Sequence, residues 1–432
     1  MSTTVSIPYG NAAVGLEVPS GKLVDCVLPG AAEPPEGPET LVRRALARPV
    51  GTPALRQLAG SASSALAEGA PSAVIVVDDP TRCVPSAVLV DEIIQELAAG
   101  GLGPDRVVVV VATGLHRPAR ADELAEILGR WNGLVRIENH DAARPDALRE
   151  VGVTRLGTEI SVNSTFLDAD LKILTGDVEF HQFCGYGGGA KSVYPGLADA
   201  ESIRRNHSRM DLEGTGPGLL DGNPVRDEIE DVARMVGVDF LLTVVLSPRA
   251  EIVAAFAGDV GQAFREGCRE VDRLYRATLA RPADLAIVSP GGWPRDASLY
   301  QAQKAIESGL RVLGPGGRIL LFAECREGSG SAEFERWMET ATGPGDILRR
   351  IQEGFVMGGH KAYQIARAVS RAPVHVFSEL PADAVASWFL RPVRGLAEVD
   401  ELIRASESIV VLPQAPMTLA STLAASAAGA GR

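Results

Sequence analysis

Two uninterrupted apolar runs, AVIVVDD at 73–79 and RVVVVVATG at 106–114, constrain this chain more than any other feature. A strand with one face in water alternates apolar and polar residues. Runs like these must be covered on both faces, as in a parallel sheet flanked by helices. Helical patterns fall where such a sheet needs them, SAVLVDEIIQELAAGG ending at Gly100 and ADELAEILG beginning at Ala121. VRIENH, LREVGVTR, TEISVNSTFL and LKILTGD are expected as further strands. The alternation predicts an α/β fold class with largely parallel sheets.

The pattern starts again after Pro282. DLAIVSPGG (284–292) opens a second α/β unit, followed by the helix SLYQAQKAIESGLRVL (298–313) and the strand GGRILLFAE. Helices are expected in EFERWMETA, ILRRIQEG and HKAYQIARAVSRA, and strands in VHVFS and SIVVLP. This divides the chain into an N-terminal catalytic α/β domain, 1–280, and a C-terminal α/β domain, 281–432, with the active site in the cleft between them. The last segment is expected to pack back on the first domain. Residues 1–30 read as edge or hairpin strands, ALRQLAGSASSALAEG as helix, QAFREGCREVDRLYRATL as one helix, and the Ala/Gly tail, 419–432, as frayed or loosely helical.

Three strands of the first domain end in polar sequences of one character. The first runs into Asp78-Asp79-Pro80-Thr81-Arg82, the second into Thr113-Gly114-Leu115-His116-Arg117-Pro118, and the third into Gly176 and on to His181. Open α/β sheets bind ligands beyond the carboxyl ends of their strands. One cleft should therefore collect Asp79, Arg82, His116, His181 and Lys191. Lys191 follows a glycine cluster, Gly185 to Gly189, and His181 lies ten residues before it and His207 sixteen after. Glycines let backbone amides close on an anion, a lysine adds a point charge, and imidazoles carry protons or bind metals near pH 7. His207 shares a helical face with Ile203 and Met210, so it should point inward and need a hydrogen bond or a metal.

Gly185 to Ser192 nearly matches the phosphate-loop pattern G-x-x-x-x-G-K-S, with Ala190 in place of the last glycine. A nucleotide-phosphate enzyme is one alternative reading. A non-catalytic metal or cofactor carrier, with His116, His181 and His207 as a metal trio, is another.

A formal charge of −13 and a pI near 5.1 argue against nucleic acid or an anionic membrane as partner. Five scattered cysteines without C-x-x-C suit a reducing compartment better than a disulfide framework or a thiolate zinc site. The chain has no basic, apolar leader at its start and no run of 18 apolar residues. A cytoplasmic location is expected.

Taken together, Asp79-Pro80-Thr81-Arg82, Gly114-Leu115-His116-Arg117-Pro118, His181 with Gly185-Tyr186-Gly187-Gly188-Gly189-Ala190-Lys191-Ser192, Asn206-His207 and Tyr300-Gln301-Ala302-Gln303-Lys304 resemble one family over most of the chain. That family is the nickel-pincer-nucleotide-dependent lactate racemases with their 2-hydroxyacid racemase and epimerase relatives. Its central loop often has Ser where this chain has Gly187 and Arg where it has Ala190; the departure leaves the lysine in place. The resemblance implies a cofactor, pyridinium-3-thioamide-5-thiocarboxylic acid mononucleotide carrying nickel, attached covalently through Lys191. His207 would be the metal ligand. Asp79, Thr81, Arg82, Gly187, Gly188, Gly189 and Tyr300 would hold the cofactor, and Arg82, Gln301 and Lys304 the substrate. His116 and His181 would be the acid/base pair. The implied substrate is a small 2-hydroxyacid, and the implied transient partners are the proteins that make the cofactor. Proton loss beside a carboxylate builds an unfavourable carbanion, whereas removal of a hydride as a base takes the hydroxyl proton leaves a neutral ketone. Two histidines, one per enantiomer, suit that exchange.

Overall fold

A computed structural model describes residues 1–30, 33–64, 73–354, 356 and 358–422. The chain forms two compact units, one of residues 31–274 and the other of residues 1–30 with 275–432. The expected division at 280/281 thus falls at 274/275 instead, and the first thirty residues belong with the C-terminal unit. The reason is pairing. Leu23–Cys26 runs parallel to Ile409–Leu412 and completes the sheet of that unit.

The 31–274 unit is built on a six-stranded sheet. Its spatial order is Ile252–Gly258, Phe240–Leu246, Leu171–Asp177, Ala73–Asp78, Val107–Ala112, Arg136–Asn139. All neighbours are parallel except the edge pair 252–258 with 240–246. The two valine-rich runs are its centre, Ala73 pairing with Val107 and Asp78 with Ala112. Ala73 to Val77 are wholly buried, as their composition requires. Each such side chain contributes about 1.5–3 kcal/mol on transfer from water. The chain leaves 73–78 toward one side of the sheet, returns, and adds 171–177 on the other. The order therefore reverses between these two strands, and a crevice opens at their carboxyl ends. LREVGVTR and TEISVNSTFL contribute an antiparallel pair of their own, Leu148–Val153 with Glu159–Asn163, outside the main sheet.

The other unit has a six-stranded sheet parallel throughout, in the order Arg391–Val393, Val374–Phe377, Leu313–Phe322, Ala283–Val288, Ile409–Leu412, Leu23–Cys26. The hairpin Ser2–Tyr9/Ala12–Pro19 puts Val5, Ile7, Leu16 and Val18 into a core with Leu285, Ile287, Leu320 and Phe322. The expected long helix stops at Tyr275, and Arg276–Leu279 instead pairs in parallel with Leu419–Thr422. The tail accordingly begins as a strand, and 423–432 lies outside the described residues. The helix expected from residue 54 is present as Leu55–Ser64, with 65–69 likewise outside. Among the described residues no helix is long and apolar enough to cross a membrane.

Candidate active site

Strand 73–78 ends in a tight turn. The Asp79 carboxylate accepts the Thr81 amide at 2.9 Å through Oδ1, and the Arg82 amide reaches the Asp79 carbonyl at 3.0 Å. Oδ2 of Asp79 lies 3.0 Å from Nδ1 of His116, which follows the neighbouring strand. Hydrogen bonds from His116 and Thr81 outweigh burial and hold the Asp79 carboxyl down at about 2. An ionised carboxylate can only accept, so Nδ1 of His116 carries the proton and Nε2 the lone pair. In its neutral form His116 therefore presents Nε2 as an acceptor.

The third strand delivers the rest. Phe180–His181 pairs with Gly185–Tyr186, which closes the loop on itself. Gly188 (φ +79°) and Gly189 (φ +62°) follow, and a short 3₁₀ turn, Gly189–Ser192, carries Lys191. The Ser192 hydroxyl ties that turn to the Thr175 carbonyl at 3.2 Å. A side chain at Gly188 would overlap the Asp177 carbonyl, and a Cβ at Gly189 would stand 2.7 Å from the Phe264 ring. Close packing against the protein itself therefore requires these two glycines. The stretch runs from a two-residue strand into a four-residue turn, not from a strand into a long helix. A phosphate loop of the strand–glycine–helix kind is not formed.

The charges around the crevice are strongly coupled. Burial raises Asp78 to about 6 and Asp177 well above the usual carboxylate range, and Glu179 and Asp78 push Asp177 further. Burial alone would lower Arg82, but Glu179, Asp78, Asp177 and Asp79 together raise it, and its guanidinium reaches Glu179 Oε1 at 2.8 Å. Burial, then the charge of Arg82, lowers Lys191 from the usual ammonium range. Burial and the charge of Lys191 hold His181 well below the ordinary imidazole range.

His207 sits on the helix Ala200–Ser208, which Asp199 caps through the Ser202 amide at 2.8 Å. Asn206 beside it reaches Glu228, and Glu228 also accepts from Thr154, Thr158 and Arg209, so the helix is fastened to the helix Pro224–Val236. His207 Nδ1 lies 2.9 Å from the Ile203 carbonyl, which can only accept. Nε2 therefore holds the lone pair, and burial lowers the group to about 4, keeping it neutral. That is the state a metal requires of imidazole. Ile203 and Met210 are buried on the expected face, and His207 is half-buried beside them.

Four residues at the site carried no sequence signal. Phe183 stands edge-on between the two imidazoles, its ring 4.6 Å from His181 and 5.4 Å from His207. Glu179 holds Arg82. Cys184 is buried against His181, with Sγ 3.1 Å and the backbone amide 3.4 Å from Nδ1. Arg226, 1 % exposed, donates to the carbonyls of Cys184, Tyr186 and Gly188 and stacks 4.4 Å from the Phe264 ring centroid. It binds the loop from His181 to Gly188 by its backbone, so nothing in the loop's own side chains announces it.

Tyr300, Gln301 and Lys304 lie in the other compact unit, on the helix Leu299–Val312. There the buried Lys361 has its Nζ 5.4 Å from the Tyr300 ring centroid, and His360 faces the same ring at 6.0 Å. Burial, then the charge of Lys304, holds Lys361 well below the usual ammonium range.

Among the described residues no group of three or more His, Cys, Asp or Glu side chains is placed to hold a metal ion. His116, His181 and His207 do not form a metal trio. The chain is an α/β protein with titratable side chains gathered where the strand order reverses. Comparison with known proteins identifies its kind. The lactate racemase N-terminal domain matches residues 9–215 and the lactate racemase C-terminal domain residues 278–398. The lactate racemase of Thermoanaerobacterium thermosaccharolyticum is 29 % identical over 418 residues, 94 % of this chain and 95 % of its own. That of Lactiplantibacillus plantarum is 31 % identical over 313 residues, 71 % of each. The lactate racemase apoprotein structure from T. thermosaccharolyticum superimposes with a TM-score of 0.86 at 28 % identity, covering 97 % of this chain and 100 % of that one. A Thermotoga maritima protein at 19 % identity shares the fold, with a TM-score of 0.64 over 85 % of this chain and 97 % of its own. The chain belongs to the lactate racemase family and is an isomerase of the racemase class.

Proposed function

We propose that the protein interconverts the enantiomers of a small 2-hydroxyacid such as lactate by proton-coupled hydride transfer on a nickel-pincer nucleotide. The observation that carries this reading is the state of three side chains at one crevice. Lys191 is a desolvated amine, His207 a neutral imidazole with its lone pair on Nε2, and His116 an imidazole whose Nδ1 the Asp79 carboxylate holds. The donor set fits the group: an amine able to form the tether, and one imidazole to complete a metal whose other ligands the nucleotide brings. When bound, the nucleotide supplies a centre that takes up and returns hydride.

The chain's own residues do the rest. Lys191 would fasten the nucleotide, and His207 would offer Nε2 to the metal. Asp79, Thr81, Arg82 and the glycines 187–189 would hold the nucleotide in place. Arg82 binds the substrate carboxylate, a planar guanidinium being suited to a carboxylate. His116 and His181 exchange the hydroxyl proton, each for one hand of the substrate. The proteins that make and install the nucleotide would be its transient partners.

Racemisation of a panel of single-enantiomer 2-hydroxyacids by cofactor-loaded protein, followed by chiral chromatography, tests the reading. His116→Ala and His181→Ala should each lower kcat at least about a hundredfold in both directions. Both should keep their nickel, and His207→Ala should lose it. The reading fails if no 2-hydroxyacid is racemised. It fails equally if either of the first two variants loses the metal while His207→Ala retains it.

A further inference from the structure

The partners of His181 differ in kind from those of His116. The Cys184 backbone amide points at His181 Nδ1, 3.4 Å away, and an amide N–H can only donate. Nδ1 must then be the bare nitrogen, which leaves the proton of the neutral ring on Nε2. The thiol of the same residue lies 3.1 Å from that nitrogen and 3.3 Å from the Tyr186 carbonyl, so its single proton can go to either acceptor. Its position is determined from three sides: the Tyr186 carbonyl at 3.3 Å, Arg226 Nη2 at 3.9 Å, and full burial. Phe183 closes the edge of the ring toward His207. The imidazole is therefore held by its Nδ1 side, and only Nε2 is left to reach a ligand.

We infer that Cys184 is a positioning residue for His181 and that the two acid/base imidazoles rest in opposite tautomers, His116 with a bare Nε2 and His181 with Nε2–H. The inference rests on the acid/base reading of these histidines and deepens it. An imidazole with a bare Nε2 draws a proton from a hydroxyl. One with Nε2–H donates a hydrogen bond to an oxygen. The resting pair is thus polarised: His116 faces the hydroxyl as acceptor while His181 steadies an oxygen as donor. A symmetric pair, both rings bare at Nε2, would leave the oxygen with no donor from either histidine. Asp79 enforces one state because a carboxylate only accepts; the Cys184 amide enforces the other because it only donates. The thiol adds to the amide's hold and stops the ring from turning over.

Nitrogen-15 NMR of histidine-labelled protein reads this without turnover. The chain has six histidines, and His116→Gln and His181→Gln identify the two rings by subtraction. At neutral pH the expected result is a protonated Nε2 with a bare Nδ1 at His181, and the reverse at His116. A protonated Nδ1 at His181 overturns the inference. Cys184→Ala, which keeps the amide, should broaden the His181 ring signals without reversing the tautomer and lower kcat about fivefold, the worth of one ordinary hydrogen bond, with KM held within about twofold. Cys184→Ser, which can still donate to Nδ1, should restore both. A Cys184→Ala protein with wild-type nitrogen line widths and wild-type kcat overturns the role of the thiol. Full racemisation by His181→Gln would overturn the acid/base reading itself, a result separate from the tautomer measured.

Discussion

Both units place a buried carboxylate in the loop that follows a central parallel strand, and the two carboxylates do different work. In the unit of 1–30 and 275–432 it is Asp296, after strand 283–288. Its Oδ2 accepts the Gly10 amide at 2.7 Å and the Glu324 amide at 3.1 Å. It stitches the N-terminal hairpin to the end of another strand. In the 31–274 unit it is Asp79, whose oxygens face the Thr81 amide and a histidine ring. Backbone partners make a carboxylate structural, because amides are already fixed in place. A titratable partner gives it a further effect, because its charge then sets the proton on another group. Residue type and position in the topology are the same; the partner decides.

The largest expected effect tests whether the 31–274 unit carries the chemistry. Lys191→Ala should lose cofactor attachment altogether, since an alkyl side chain cannot form the tether, and intact-protein mass spectrometry should show no added mass. Retention of that mass would move the attachment elsewhere.

Glycines sharpen the contrast next. Gly188 and Gly316 share a φ near +75°, at +79° and +75°, but a Cβ at Gly188 overlaps the Asp177 carbonyl, whereas at Gly316 it meets nothing. Gly316→Ala should cost only the left-handed strain, about 1–2 kcal/mol. Gly188→Ala should cost about 3 kcal/mol or more, because steric overlap with backbone is added. Equal losses in denaturant melts would show that the glycine loop is loosely packed after all.

The carboxylates themselves can be exchanged against one another. Asp296→Ala leaves the buried Gly10 amide and the part-buried Glu324 amide without their acceptor and should cost about 2–3 kcal/mol, with kcat unchanged in the folded fraction. Asp79→Asn should keep stability within about 1 kcal/mol and lower kcat about tenfold or more, because a neutral amide no longer enforces the His116 tautomer. If both variants lose stability and neither loses turnover, the distinction drawn between the two residues collapses.

The smallest effect is in pH dependence. His207 has a folded value of about 4 against an ordinary 6.5, so between these the unfolded chain takes up a proton that the folded one refuses. Its contribution to stability is lost as pH falls from 6.5 toward 4. Asp78 acts in the opposite sense: raised to about 6 from 3.8, it contributes stability below 3.8 that is lost as pH rises through 6. The two largely offset each other across pH 4–6. Asp78→Asn should therefore make the melting temperature fall more steeply on acidification, by about 2–4 °C relative to the parent. His207→Gln should flatten the slope by a similar amount. Identical slopes in all three proteins would show that these buried groups do not titrate as assigned.

The elements were legible where the signal is local. The valine runs at 73–77 and 107–111 could only be strands covered on both faces, and a parallel α/β sheet follows from that. The polar residues at three strand ends marked the crevice because a sheet's connectivity brings those ends together. Within the 31–274 unit, Asp79 with His116 and the group of Arg82, His181, Lys191 and His207 were found from spacing and residue type. The tertiary structure alone decided the rest, for one physical reason: these roles depend on partners distant in sequence. Arg226 grips carbonyls some forty residues away, and carbonyls look alike in every sequence. Residues 1–30 joined the far unit because a ladder to 409–411 outweighs chain proximity. The tautomer of each histidine was set by whether its neighbour gives or takes a proton, and that neighbour becomes visible only once the chain has folded.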